Sequence, residues 1–349
     1  MINKSLYDIS WQVTEEEYRQ DPSYSYSTLA KFTREGFDKL DILFDRVESP
    51  SLLFGSMVDT LLTDGQDAYD EKYFVADFPE VADKIKLITD AIFNAHSDTY
   101  SSLNSVPNEI IIAYTEAFEY QKNWKPETRA KVIREQGNEY YSLLYLAGNK
   151  TVVSASLHTD VLDCVDKLRG SEATKWYFMR DNPFDDTTER LYQLKFKGEY
   201  EGIPLRIMAD LMVVDHKNKI IYPCDLKTSY KTEWNFYKSF YEWCYYQQAQ
   251  LYAEILRQNL AKDDYFKDFK IANYRFIVIC NKTKMPLVWE YKDTFCINDI
   301  TYGKQGQYKC RNWRNVVKEL HYYLTEKPLV PQDINIIIPN DLVKYLNNE

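Results

Sequence analysis

The sequence predicts an α/β protein with an inserted helical layer, and two observations carry this prediction. Three β-rich segments follow one another in the centre of the chain, at residues 191–197, 205–214 and 220–226. The first alternates apolar and polar residues, which is typical of a half-buried strand. Segments with helical spacing lie before and after these strands. The predicted element order, αααβββαββα, is that of an α/β core without an internal repeat.

The N-terminal helices are predicted from capping and apolar spacing. Ser27 occupies an N-cap position ahead of Leu29 and Phe32, which indicates that a helix starts there. A second helix has apolar residues at i, i+3, i+4, i+7 and i+8, and Asp64-Gly65 ends it. Its apolar residues are Phe54, Met57, Val58, Leu61 and Leu62. Residues 81–148 are polar and helical in pattern, which predicts the inserted layer.

The remaining elements follow from β-branched runs and turn signals. Residues 151–153 predict a short strand, and residues 157–168 a helix. Glu201-Gly202 marks a turn between the first two central strands. The segments that close the core are a long helix, two strands and a last helix, predicted at residues 243–256, 274–280, 287–291 and 312–324.

Length, net charge and glycine content limit the classes of function that the chain can have. A length of 349 residues allows about two domains, or one large core with an insertion. The formal charge of −10 means that a nucleic-acid site would have to be a local basic groove. Ten glycines and no glycine-rich phosphate loop disfavour ATP- and NAD-dependent enzymes. The apolar runs are too short to span a membrane, so we expect a soluble protein.

The six cysteines form no C-x-x-C pair, and no charged-then-apolar leader precedes residue 24. We therefore expect reduced thiols and a cytoplasmic location, which would be the host cytoplasm for a phage protein.

Two aspartates on neighbouring central strands carry the predicted chemistry. Asp210 and Asp225 are separated by one turn, so antiparallel pairing can place them side by side. Lys227 follows Asp225 at i+2 and points to the same face of the strand. Two carboxylates and an ammonium can hold Mg²⁺ and position a nucleophilic water. The alternative is a solvated ion pair at the end of a strand.

The set Asp210…Asp225-Leu226-Lys227 resembles the PD-(D/E)XK nuclease superfamily. Gln248 and Tyr252 resemble the Gln-x-x-x-Tyr motif of its RecB-type exonuclease branch. Three further segments, residues 24–29, 53–59 and 147–152, resemble motifs of phage-type RecE-like exonucleases. The similarity spans about residues 24–256, and the helical segment is its least similar part.

The resemblance implies a restriction-endonuclease-like core, with a central mixed β-sheet flanked by helices. It implies Asp210 and Asp225 as ligands of Mg²⁺ or Mn²⁺, with the Leu226 carbonyl as a further ligand. Lys227 would orient the attacking water and stabilise the transition state. Gln248 and Tyr252 would line the groove that binds the DNA strand, unless they are ordinary buried residues.

Asp59 departs from the family pattern, because the branch has histidine at this position. A carboxylate suits a hard cation better than an imidazole, so Asp59 is a candidate ligand and catalytic residue. The alternative is an ordinary aspartate at the edge of a helix. Glu189 is a reserve carboxylate. We expect no iron–sulfur cluster, since Cys296 and Cys310 are too far apart to match the cysteine cluster of relatives that have one.

Basic and aromatic residues near these positions suggest contacts to a nucleic acid. Arg206 lies on the same strand face as Asp210 and is a candidate substrate-binding residue. A further group, with Lys231, Trp234, Tyr237 and Tyr241, follows Lys227 and could contact phosphates and stack on bases. Packing into the core is the alternative for the individual aromatic residues.

We interpret the sequence as that of a metal-dependent DNA exonuclease that acts on duplex ends in phage recombination or replication. A structure-specific or restriction-type endonuclease, and a non-catalytic DNA- or protein-binding member, are the alternatives. A single-strand annealing protein is an expected partner, and a homo-oligomer is left open. The predicted organisation is residues 20–80 (N-terminal core helices), 81–148 (helical insertion), 149–326 (catalytic core) and 327–349 (C-terminal extension).

Overall fold

The computed structural model describes residues 4–45, 49–179 and 187–325. The predicted C-terminal extension, residues 327–349, lies outside these ranges. The α-helices are α1 (Glu15–Gln20), α2 (Tyr26–Glu35), α3 (Pro50–Thr63), α4 (Gln66–Lys72), α5 (Asp83–His96), α6 (Asn108–Ala117), α7 (Pro126–Ala147), α8 (Ala155–Gly170), α9 (Lys175–Phe178), α10 (Phe236–Glu242), α11 (Tyr245–Leu260) and α12 (Trp313–Thr325). The strands are β1 (Tyr73–Val75), β2 (Thr151–Val153), β3 (Thr188–Tyr200), β4 (Ile203–Asp215), β5 (Ile220–Ser229), β6 (Lys270–Ile271), β7 (Tyr274–Cys280), β8 (Pro286–Tyr291), β9 (Ile300–Tyr302) and β10 (Tyr308–Cys310).

The chain divides into two units. Among the described residues, the sheet unit comprises 4–45, 49–55, 166–179 and 187–325, and the helical unit comprises 56–165. Across the described ranges, no helix has the length and apolar character needed to cross a membrane.

A mixed six-stranded sheet forms the centre of the sheet unit. Its main path runs β3-β4-β5-β7-β8, with β6 beside β5. Neighbouring strands are antiparallel except β5 with β7 and β5 with β6, which are parallel. The predicted three-strand meander is confirmed as β3, β4 and β5, and the predicted α/β class with a central mixed sheet flanked by helices is confirmed with it.

The turn between β3 and β4 forms where the sequence predicts it. Tyr200 pairs with Ile203, so only two residues connect the strands. These residues, Glu201 and Gly202, have φ of 50° and 80°. Two positive φ angles match the right-handed twist of a hairpin, and glycine adopts them without steric cost.

Helix α2 begins earlier than Ser27. The main chain of Tyr24 bridges to β4, accepting a hydrogen bond from the Arg206 N–H at 2.9 Å and donating one to the Pro204 carbonyl at 3.1 Å. This bridge keeps Tyr24 extended, and Ser25 becomes the N-cap. Capping preference alone could not identify the start, because the bridge joins segments that lie far apart in the sequence.

The helix predicted at residues 243–256 is observed as α11, which runs from Tyr245 to Leu260, and α10 precedes it as an element that the sequence did not predict. Cys244 has φ of 56° and separates α10 from α11. The sequence shows no glycine or proline at this break. Helix α11 packs on β3, β4 and β7, and its buried residues join the core of the sheet unit.

The helical unit has a core of its own. Ile85, Ile88 and Ile92 of α5 pack with Ile111 of α6 and Ile133 of α7. The strands β1 and β2 pair in parallel, and β1 is an element that the sequence did not predict. The segment predicted as helical, residues 81–148, contains α5, α6 and α7, while its role as an insertion stays a prediction.

Candidate active site

The site lies where β4 and β5 stop pairing. The antiparallel ladder between them runs from Asp215 and Ile220 to Leu211 and Cys224. The next positions along the two strands are Asp210 and Asp225. The two aspartates therefore lie at the same end of the ladder, as the spacing predicted.

The Asp210 side chain replaces a backbone partner at this point. The main-chain N–H of Leu226 donates a hydrogen bond to Oδ2 of Asp210 at 2.9 Å. A buried N–H needs an acceptor, and β4 no longer supplies a carbonyl here. This bond ties the Asp210 carboxylate to the strand that carries Asp225 and Lys227.

Asp225 is held by two side chains. It is 1% exposed. Its Oδ2 forms an ion pair with the Lys227 ammonium, and its Oδ1 accepts a hydrogen bond from Nε2 of Gln248. The ion pair confirms that positions i and i+2 of β5 share a face. Both partners donate to the carboxylate, which compensates for the cost of burying it.

Lys227 keeps its positive charge despite its surroundings. Burial alone would lower its pKa, but the Asp225 carboxylate, followed by Tyr245 and Asp210, raises the pKa above the usual lysine value. The ammonium also lies 4.9 Å from the centre of the Tyr245 ring, a cation–π distance. Lys227 is therefore a permanent cation at neutral pH, held between a carboxylate and an aromatic ring.

The other side of β5 keeps this strand in place. Residues 224–229 pair in parallel with residues 275–280 of β7. Gly55 of α3 approaches the same strand, since a Cβ at this position would lie 3.1 Å from Oγ1 of Thr228. A larger residue there would press on the strand that carries Asp225 and Lys227.

Gln248 and Tyr252 lie on one face of α11, as predicted, but both are buried, at 3% and 6% exposure. Gln248 contacts the site through Asp225. The Tyr252 ring packs edge-on against Tyr274, with centroids 5.9 Å apart. Their role in lining a DNA groove stays a prediction, and the contact that the structure describes for Gln248 is one that positions a carboxylate.

Arg206 of β4 is occupied by the N-terminal segment, and its predicted face shared with Asp210 is interrupted, because Gln193, with φ of 52°, breaks the β3–β4 register opposite Asp210. Its guanidinium donates to the main-chain carbonyl of Asp21 and lies 4.9 Å from the centre of the Tyr18 ring. Glu189 is likewise engaged, by Ser5 and by the Leu6 N–H. These two side chains hold the N-terminal segment on the sheet.

Asp59 lies on α3 in the helical unit, partly buried between the buried residues Val58 and Thr60. It stays a predicted ligand. Tyr245, in contrast, is a site residue that the sequence interpretation missed. Its position three residues before Gln248 on the same helix was an available signal, because i and i+3 share a helix face.

The donor set fits a hard divalent cation. Asp210, Asp225 and the Leu226 carbonyl supply oxygen only, and Mg²⁺ commonly takes one or two protein carboxylates and keeps several waters. Among residues 4–45, 49–179 and 187–325, no group of three or more His, Cys, Asp and Glu side chains is arranged to hold a metal. Two carboxylates and one carbonyl would leave the other coordination positions of the cation to water.

No family model matches the chain, and no curated protein matches it. Among solved structures, the chain is similar to a crystal structure from Eubacterium rectale described as a "putative exonuclease". The identity is 13%, the alignment covers 91% of this chain and 85% of that chain, and the TM-score is 0.41.

Proposed function

We propose that this chain is a metal-dependent deoxyribonuclease of the PD-(D/E)XK type that degrades DNA from duplex ends. One observation carries the proposal: two aspartates meet where the β4–β5 ladder ends, with a lysine ammonium paired to one of them. A structural ion pair would not require a second carboxylate fixed to the same strand. Metal-dependent phosphodiester hydrolysis uses clustered carboxylates to hold the cation.

Each side chain has a distinct role in the proposed reaction. Asp210, Asp225 and the Leu226 carbonyl would hold Mg²⁺ or Mn²⁺, which supplies Lewis-acid activation of a water when bound. Lys227 presents a fixed positive charge toward the charge that develops on the phosphate in the transition state. The Lys227 ammonium would also orient the attacking water.

Gln248 supports this arrangement by fixing the Asp225 carboxylate. Its donated hydrogen bond leaves Oδ2 directed to Lys227. A carboxylate held from two sides is preorganised, so little reorganisation is needed when the substrate binds. Asp59 is proposed as an additional ligand, from the similarity of residues 53–59 to the family motif.

Action at duplex ends and a role in phage recombination rest on the sequence resemblance, in particular on Gln248 and Tyr252. The negative net charge of the chain supports action at duplex ends. A protein with a formal charge of −10 does not adhere broadly to duplex DNA and depends on a confined basic path. A free end would enter such a path, whereas an internal segment of a closed circle would not.

The test compares linear duplex with covalently closed circular DNA, each with Mg²⁺ and with EDTA. We expect Mg²⁺-dependent loss of the linear form, survival of the circles, and slower reaction at raised salt. Asp225→Asn should be inactive and Asp166→Asn, which changes an exposed carboxylate on α8, should be active. Nicked or linearised circles at a comparable rate would indicate an endonuclease. The absence of metal-dependent loss would indicate a binding protein.

A further inference from the structure

The segment after β5 carries a large aromatic side chain that takes no part in the core. Trp234 is 82% exposed, on the 3₁₀ turn Glu233–Asn235. Two residues later Phe236 is 1% exposed, with its ring 6.1 Å from Tyr245 and 5.7 Å from Trp289. The turn is therefore anchored by Phe236 while Trp234 points to solvent.

Hydrogen bonds hold this turn in one conformation. The Asn235 side chain donates to Oγ1 of Thr232 at 3.1 Å, and its main-chain N–H donates to the Thr232 carbonyl at 2.8 Å. Oγ1 of Thr283, in the loop between β7 and β8, donates to Glu233 at 3.2 Å. A rigid aromatic side chain loses little conformational entropy on binding a ligand.

The surroundings of Trp234 are basic although the chain is acidic. Residues 230–242 and the loop residues 281–284 carry four lysines and two glutamates, a formal charge of +2. Both glutamates are engaged, Glu233 by Thr283 and Glu242 by Lys231. Lys282 is exposed in the loop that contacts the turn. This local charge is complementary to a polyanion.

The structure separates Trp234 from the other aromatic residues that follow Lys227. Tyr241 stacks on Tyr308 with centroids 4.3 Å apart, and Tyr237 lies edge-on to the same ring at 6.3 Å. These rings are committed to intramolecular packing. Tyr230, 51% exposed, and Trp234 are the aromatic faces of this segment that a ligand can reach.

We propose that Trp234 stacks on an unpaired base of a single-stranded polynucleotide whose phosphates contact Lys282. Every base has an aromatic face, so such stacking is sequence-tolerant, and lysines beside it neutralise the backbone. The bases of an intact duplex are already stacked and offer no such face in mid-helix. The choice of DNA as the ligand rests on the proposed function, since β5 leads directly from Asp225 and Lys227 to this turn.

The test measures binding alone, in EDTA, by fluorescence anisotropy. The probes are a labelled oligothymidylate of about 16 nucleotides, the upper site size of a single-strand-binding fold, and a closed dumbbell duplex. Trp234→Ala should weaken oligothymidylate binding at least about fivefold, which corresponds to about 1 kcal/mol. Trp234→Phe should retain part of the affinity. Lys282→Gln should weaken binding and reduce its salt dependence.

Trp124→Ala is the matched control, because Trp124 is a 42% exposed tryptophan of the helical unit, and it should bind as the wild type does. Equal affinity of the wild type and Trp234→Ala would overturn the proposal, as would equal losses for oligothymidylate and dumbbell. Failure of the wild type to bind oligothymidylate would also overturn it and favour a protein ligand. Trp234-dependent binding without metal-dependent hydrolysis would overturn the proposed function and leave this inference standing.

Discussion

The main-chain N–H of Leu226 donates to Oδ2 of Asp210 at 2.9 Å, just beyond Leu211 and Cys224, the last paired residues of β4 and β5. The strands separate here, and a side chain takes the place of a ladder bond. The separation leaves the two aspartates side by side where the β4–β5 ladder ends, with Asp225 1% exposed. The same bond keeps Asp210 aligned with Asp225 when no ligand is present.

The first prediction concerns Asp210, Asp225 and Lys227. Asp210→Asn, Asp225→Asn and Lys227→Ala should each reduce cleavage by at least about 100-fold, as expected when a transition-state charge contact is lost. Rates of linear-DNA loss check this, with circular dichroism to confirm folding. Near-normal cleavage by a folded Asp225→Asn variant would contradict the assignment of the active site to these residues.

The second prediction concerns Gln248. Gln248→Ala leaves a buried oxygen of Asp225 without its donor, which should cost about 1–3 kcal/mol of unfolding free energy, and it should also lower cleavage by folded protein. Gln247→Ala is the control, because the Gln247 side chain on the same helix donates to Thr33 at 2.9 Å and contacts no site residue. Gln247→Ala should lower the unfolding free energy by a similar amount but leave the cleavage rate unchanged. Equal activity losses would mean that Gln248 acts only through the fold.

The third prediction concerns pH and the charge on Lys227. Burial by itself would lower the pKa of Lys227. The Asp225 carboxylate, Tyr245 and the Asp210 carboxylate outweigh this effect, so the pKa lies above its usual value. A raised pKa means that the ion pair stabilises the folded state fully below the unfolded lysine pKa of about 10.4. That contribution is lost only as the pH rises through the folded pKa.

The unfolding free energy gained from this pair should therefore be constant between neutral pH and about pH 10. The measurement is the difference in unfolding free energy between wild type and Asp225→Asn at a series of pH values. A difference that shrinks near pH 8 would show that the Lys227 pKa is lowered, contrary to expectation.

The fourth prediction concerns Tyr245. Tyr245→Phe keeps the aromatic face under the Lys227 ammonium and should retain most of the cleavage activity. Tyr245→Leu removes this aromatic face and should lose about 0.5–2 kcal/mol of interaction with the ammonium. Cleavage should therefore fall by about 2-fold to 30-fold. Steady-state rates of the two variants are compared at one pH. Identical rates would show that the ring is only a packing neighbour.

The fifth prediction concerns Asp59. Asp59→Ala should weaken metal binding, and Asp59→His should restore part of it if this position corresponds to the family's histidine. Isothermal titration with Mn²⁺ measures the affinity, and Asp67→Ala, at an exposed position of α4, is the control. Wild-type affinity in both Asp59 variants would place this carboxylate outside the site.

Local patterns in the sequence were sufficient for the elements whose cause is local. Alternation predicted the first central strand, and β-rich runs predicted the other two. Glu201-Gly202 predicted the turn between the first two, and the strand at residues 274–280 was predicted at its observed bounds. The shared face of Asp225 and Lys227 also follows from strand geometry alone, since successive side chains alternate. These features depend on neighbours within a few residues, so they are readable without a structure.

Tertiary structure alone decided what each polar side chain contacts. Arg206 faces the N-terminal segment, Gln248 reaches Asp225, and Trp234 stays exposed while Tyr241 packs on Tyr308. Each of these outcomes depends on which distant elements meet, and residue type and spacing do not encode that. The break at Cys244 is of the same kind, because the packing of α10 and α11 stabilises a left-handed residue that local propensity disfavours.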